Sequence, residues 1–112
     1  GMPVYLEPLA KKTKNDPRVV DRFQILFGGS EVGKAFNELN DPIDQRERFE
    51  KQQALRDAGD EEAQMADFEY VEAMEYGMPP TFGFGVSERL FSFLAGKSIR
   101  EAQPFPLMRP KA

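Results

Sequence analysis

The sequence predicts an α+β fold, a small antiparallel sheet with flanking helices, and three observations carry that expectation. The pair Gly28-Gly29 separates two runs of strand character. A stretch that opens on Asn40-Asp41-Pro42 and closes at Gly59 has the start and stop signals of a helix. A third strand-like run, alternating Phe and Gly, leads straight into Ser87, a residue suited to capping another helix.

In chain order, Pro3 to Leu9 is short, β-prone and punctuated by prolines, which predicts an edge strand. Lys11 to Arg18 is polar and reads as a loop. Val19, Phe23, Ile25 and Phe27 share one parity, so a half-buried strand is expected over Val19 to Phe27, with Arg22, Gln24 and Leu26 on its other face. After a primed turn at Gly28-Gly29, a second strand is expected from Ser30 to Leu39. The helix that follows should run to about Ala58 with a thin apolar stripe of Ile43, Phe49 and Leu55, and Asp44 to Lys51 should form a solvated face. Phe68, Val71 and Met74 fall at helical spacing before Gly77, and Met78-Pro79-Pro80 cannot continue that helix. Thr81 to Val86 places Phe82, Phe84 and Val86 on one face and Gly83 and Gly85 on the other. The last helix should point Leu90, Phe91 and Leu94 inward and end at Gly96. One more turn over Ser98 to Gln103 precedes an extended tail from Pro104 to Pro110.

Composition narrows the function. At 112 residues, with ten Phe and three Tyr, the chain has room for one domain, 1–112, with a real core. No apolar run approaches the ~20 residues of a membrane span. A net charge of −4 offers no cationic surface for nucleic acid on its own. The absence of Cys and His excludes thiolate zinc sites and His-based catalysis, so any metal must be a hard, oxygen-bound ion. It also points to an intracellular, cytoplasmic protein, and Gly1 ahead of Met2 is expected to be foreign to the natural chain.

Two constellations could carry chemistry. Glycines at alternate positions bare one strand face, on which a purine ring could lie, and the strand feeds a helix N-terminus with Arg89 in its first turn, suited to phosphate. The competing reading is close packing at the glycines and a surface ion pair at Arg89. The second constellation is Gln24, Glu31 and Glu38, spaced every seven residues. A two-residue turn makes Gln24 and Glu31 diagonal neighbours that could share Mg²⁺ with a substrate phosphate, and Glu38 joins their face only if a bulge falls near Gly33. Solvated edge-strand carboxylates are the competing reading.

These residues sit within longer motifs. Glu38-Leu39-Asn40-Asp41 with Asp44-Gln45 and Arg48-Phe49, then Tyr76-Gly77-Met78-Pro79-Pro80-Thr81, Glu88-Arg89-Leu90, Ser98-Ile99-Arg100-Glu101, Phe105-Pro106 and Met108-Arg109-Pro110 together resemble the C-terminal end of class II lysyl-tRNA synthetases. The likeness runs from Pro3 to Pro110. It implies the final part of the class II catalytic core, with ATP and Mg²⁺ as cofactors and lysine as substrate. Arg89 corresponds to the arginine of the third signature motif, on the ATP phosphates. Gly83 and Gly85 correspond to the strand beneath adenine, Glu31 to a Mg²⁺ carboxylate, Glu38 to the receiver of the amino-acid side chain, and Phe36 to a residue packed against it. A carboxylate at Glu38 suits the lysine ammonium.

The chain departs from the pattern at three places, as a divergent branch would. Gln24 stands where a second acidic metal ligand is usual. Lys34 stands where an Asn is usual near the amino-acid pocket, and a cation there opposes lysine unless it points away. The strand before Glu88 is one residue short. The first and second motifs and the anticodon-reading domain are missing, so the resemblance implies a fragment that does not aminoacylate alone and meets tRNA through regions absent here. An apolar sheet face left exposed should drive self-association. Rival expectations are a non-catalytic binding or regulatory module and part of a core-only paralogue that lysylates a protein.

Overall fold

The structure, a computed structural model, describes residues 1–105. They form two compact units, one of Gly1–Phe23 with Phe36–Gly83, the other of Gln24–Ala35 with the chain from Phe84 on.

In the first unit, β1 (Met2–Pro3) pairs antiparallel with β2 (Val19–Val20), Met2 opposite Val20 and Pro3 opposite Val19. The strand expected over Pro3 to Leu9 stops there. A 3₁₀ turn at Val4–Leu6 follows, and Pro8 has no N–H with which to extend a ladder. The strand expected over Val19 to Phe27 also divides, at Asp21, into β2 and β3 (Arg22–Phe27). Asp21 donates its N–H to Lys11 O at 2.8 Å and accepts from Asn37 N at 2.9 Å.

Helix α1 (Pro42–Asp57) begins as expected. Asp41 Oδ1 accepts from Ile43 N at 2.9 Å and Asp44 N at 3.4 Å, and the chain leaves the helix through Gly59 at φ +102°. Its inner face is not the predicted stripe. Ile43 is 72% exposed and Leu55 is exposed too, whereas Gln45, Arg48, Phe49 and Gln52 are buried. Arg48 Nη1 donates to Ala10 O at 2.7 Å, and its Nε and Nη2 grip Asp44 at 2.9 Å each. Gln45 Nε2 donates to Pro8 O at 3.2 Å and Gln52 Nε2 to Tyr5 O at 3.0 Å. The run read as a solvated face thus includes the helix's buried seam, because the irregular segment beneath it presents carbonyls that need donors.

Helix α2 (Phe68–Glu75), capped by Asp67, buries Val71 and Met74 as expected, but Phe68 is exposed under the guanidinium of Arg46. Ala10, Val20, Leu39, Phe49, Ala63, Val71 and Met74 form this unit's core.

Strands β3, β4 (Ser30–Asn37) and β5 (Phe82–Val86) pair in the order β3-β4-β5. Gly28 and Gly29 have φ of +55° and +77°, the left-handed values a primed turn requires. In the second unit, Ser87 Oγ caps α3 (Glu88–Ala95) by accepting from Arg89 N at 3.2 Å, and Gly96 ends it at φ +63°. Ser98 and Glu101 form a capping box on the short α4 (Ile99–Ala102).

The inward face predicted for α3 is not buried: Phe91 is 61% and Leu94 74% exposed, while Ser92 is buried. Nor is β3 half-buried, since Ile25, Leu26 and Phe27 are all exposed. Periodicity predicts a face to be covered but not the layer that covers it. Phe27 meets Phe93 edge-on at 5.0 Å, and the rest of this apolar surface lies open. The tail expectation over Pro106 to Pro110 lies outside the described residues.

The Arg48 grip lowers the Asp44 carboxyl from its ordinary 3.8 to about 2, with Lys12 adding to the effect. A folded value below the unfolded one stabilises the protein above about pH 4, and that contribution is lost as pH falls toward 2. Urea unfolding across this range should show the Asp44→Asn variant less stable than wild type at pH 6, with the difference shrinking toward pH 2. A constant difference would rule the linkage out.

Candidate functional site

In the second unit, Gln24 Nε2 donates to Glu31 Oε2, which makes these two the cross-strand neighbours the turn predicts. Gly33 shows how the strand continues. A Cβ built on it would lie 3.5 Å from Ile25 Cδ1 and 3.9 Å from Ile25 Cβ, so it shares Ile25's face of the hairpin. Glu31 shares the opposite face with Gln24. Residues 31 and 33 share one face of a regular strand, so these distances favour the bulge that the sequence pattern asks for near Gly33 over unbroken pairing. Val32 and Gly33 are accordingly both buried in succession. Lys34 is exposed.

Arg89 and Glu31 line one open cavity of about 550 Å³ with Val86, Ser87 and Ile99. Among the described residues no carboxylate pairs with the Arg89 guanidinium, so the surface ion pair considered for it does not form. The same residues contain no cluster of three or more carboxylates able to cage a metal. Glu88 also lines this cavity, accepting from Gln103 Nε2 at 2.7 Å, and Glu31, onto which the Gln24 amide donates, is of the kind that holds Mg²⁺ jointly with a phosphate.

The two β5 glycines differ. A Cβ on Gly85 would meet nothing closer than Lys34 O at 4.0 Å, so packing does not demand its bareness. Gly83, in the first unit, lies directly beneath the Glu38 carboxylate: an added Cβ would stand 2.6 Å from Oε1. Glu38 N donates to Thr81 O at 2.9 Å, which fixes the backbone at this point. Glu38 is half-buried, and burial raises its carboxyl above the ordinary range. No Lys or Arg among the described residues pairs with it. Phe36, half-buried, lies one strand repeat before it.

The sequence reading missed Tyr70 and gave Asn40 a helix start and a place in the Glu38-Leu39-Asn40-Asp41 motif but no contact in the site. Burial, then the charges of Glu38 and Asp67, raise the Tyr70 hydroxyl, which marks Tyr70 as a neighbour of Glu38. Its place three residues after Asp67, at the border of an apolar stripe, was the available signal. Asn40 donates to Met78 O and accepts from Lys11 Nζ.

In the second unit Gly85 leaves one strand face bare and Arg89 stands at the next helix start, lining a cavity with Glu31; in the first, Glu38 is a carboxylate with no cationic partner among the described residues. Residues 1–109 match the family model of class II tRNA synthetases (D, K and N), and the chain belongs to that family. It is 50% identical over 111 residues to the lysine-tRNA ligase of Thermotoga maritima, covering 97% of this chain and 22% of that protein. It is 54% identical over 110 residues to that of Thermosipho africanus (96% and 22%) and 53% over 113 residues to that of Lactiplantibacillus plantarum (99% and 23%). The chain therefore spans less than a quarter of the length of these relatives.

Because only the flexible end of Glu38 opposes a methyl group at Gly83, Gly83→Ala should fold normally and displace the carboxylate into solvent. Carbon-detected NMR titration should then find the Glu38 carboxyl lowered toward 4.5, its ordinary value. An unchanged titration would show that Gly83 does not set the carboxylate's place.

Proposed function

We propose that this chain is the C-terminal segment of the catalytic core of a divergent, cytoplasmic lysine-tRNA ligase. In that enzyme the lysine carboxylate attacks the α-phosphorus of ATP, giving lysyl-adenylate and pyrophosphate, and the lysyl group then passes to tRNA. The observation that carries the reading is Glu38, a half-buried carboxylate with no cationic partner among the described residues, resting on a glycine. Such a group favours an incoming ammonium and rejects anions.

Each further residue has a matching role. Phe36 packs against the aliphatic stem of lysine, and Arg89 neutralises phosphate charge on ATP. Gly85 leaves a bare strand for adenine, whereas Gly83, expected there too, lies under the Glu38 carboxylate and serves the amino-acid side instead. Glu31, with the Gln24 amide beside it, is the residue that would hold Mg²⁺, whose chemistry is to screen the phosphates. Groups that grip ATP from the opposite side belong to motifs this chain lacks, so the isolated chain is expected to bind weakly and not to aminoacylate.

Lysine titrated into the labelled chain should shift the amides of Phe36, Glu38 and Gly83 with a millimolar or weaker midpoint, and Glu38→Arg should abolish the response. Absence of any shift at saturating lysine would sink the lysine assignment, and micromolar binding of lysine and ATP would overturn the weak-site expectation.

The exposure of Leu26, Phe84, Phe91 and Leu94 also supports self-association. Sedimentation velocity should show a concentration-dependent oligomer that Phe91→Ser with Leu94→Ser weakens. A monomer at every concentration would refute it.

A further inference from the structure

We propose that Asn40 is a positioning residue of the amino-acid pocket: its side-chain amide ties the chain entering β5 to the end of β4 and thereby sets the Glu38 carboxylate over Gly83. The proposal rests on the reading that Glu38 receives the substrate ammonium.

The approach to β5 is short of backbone donors. Gly77 turns the chain at φ +115°, and Met78 is followed by Pro79 and Pro80, neither of which has an N–H. Pro79 and Pro80 can be held only through their carbonyls, and Met78 is met besides by the Tyr70 hydroxyl, which donates to its Sδ at 4.0 Å. Asn40 Nδ2 donates to Met78 O at 3.3 Å, Thr81 Oγ1 donates to Pro79 O at 2.9 Å, and Glu38 N donates to Thr81 O at 2.9 Å. Gly83 follows two residues later, under the Glu38 carboxylate. Asn40 thus makes the outermost of the contacts that place the two arms of this pocket.

Lys11 sets the orientation of the amide. Its Nζ donates to Asn40 Oδ1 at 2.8 Å, and an ammonium can only donate, so the Asn40 oxygen faces Lys11 and the NH₂ faces Met78. Lys11 is itself fixed to the same strand end, through Lys11 N to Asn37 O at 2.7 Å and Leu39 N to Leu9 O at 2.9 Å around it. Asn is the short side chain with both a donor and an acceptor in the required places. Asp could accept from Lys11 but not donate to Met78, and Leu could do neither.

The test is NMR on the full chain with Asn40→Asp, Asn40→Leu and Lys11→Met, following the Glu38 carboxyl titration, the Thr81 and Gly83 amides, and thermal unfolding. With the tie broken, the arms part and water reaches Glu38. Its carboxyl should fall toward 4.5 in both Asn40 variants, and the Thr81 and Gly83 resonances should move. Asn40→Asp is the sharper case, because its added negative charge by itself would raise Glu38. Lys11→Met frees the amide to rotate and should give a smaller shift in the same direction, which keeps the test decisive if an Asn40 variant does not fold. A lower unfolding temperature with the Glu38 titration and both amides unchanged would make Asn40 merely structural and overturn the proposal. A wild-type chain indifferent to lysine would defeat the lysine assignment alone, since the Glu38 titration would still decide the role of Asn40.

Discussion

The carbonyls of Tyr5, Pro8 and Ala10, the last two on buried residues, impose the constraint on which the first unit depends. A segment broken by proline cannot pair along its length in a sheet, yet a buried carbonyl left without a donor is costly. The donors come from α1, whose inner face presents Gln52, Gln45 and Arg48 to these three oxygens in turn. The price is a buried guanidinium, and Asp44 offsets its charge with two hydrogen bonds one helical turn away. Fixing residues 5–10 in this way has a consequence further along: Leu9 and Lys11 bracket Asn37 and Leu39 by backbone bonds, so the helix indirectly sets the strand end that carries Glu38.

What could be read from the sequence was local chemistry. The Asp41 and Ser87 caps, the exits at Gly59 and Gly96 and the Gly28-Gly29 turn each follow from a residue's own chemistry or conformational range. What could not be read depended on a partner remote in sequence. The polar seam of α1 is invisible without the carbonyls it serves, and hydrophobic periodicity gave Ile43 an inward direction it does not take. The exposed face of α3 is the converse case, a correct amphipathic pattern with no layer over it among the described residues. Arg89, Glu31 and Glu38 were legible as residues, but the contrast between the two β5 glycines required coordinates.

That contrast refines how glycine on a strand is interpreted. Gly33 is bare because Gly85 O would stand 3.2 Å from a Cβ there, and Gly83 is bare because a carboxylate occupies the space. Gly85 alone of the three faces no close protein atom, so its missing side chain answers to no packing demand within the described chain. Alternating glycines are therefore not one signal: each must be asked what its side chain would strike, and the one that would strike nothing is the best evidence for a ligand.

Glu38 raises the corresponding question about charge. An ionised carboxylate removed from water and left without a cation destabilises the folded chain, and its raised carboxyl is the sign of that cost. Nothing in the local backbone requires it, since Glu38 meets its neighbours through its amide and a residue of any type could do the same. A carboxylate in that position suits the role proposed for it, to meet a cation from outside the chain. An ammonium arriving there removes the desolvation penalty and gains the Coulomb attraction together, whereas a neutral ligand of the same shape would leave the carboxylate buried and unpaired. On the proposed reading, discrimination comes from the penalty carried by the unpaired carboxylate as much as from the bond an ammonium would make with it.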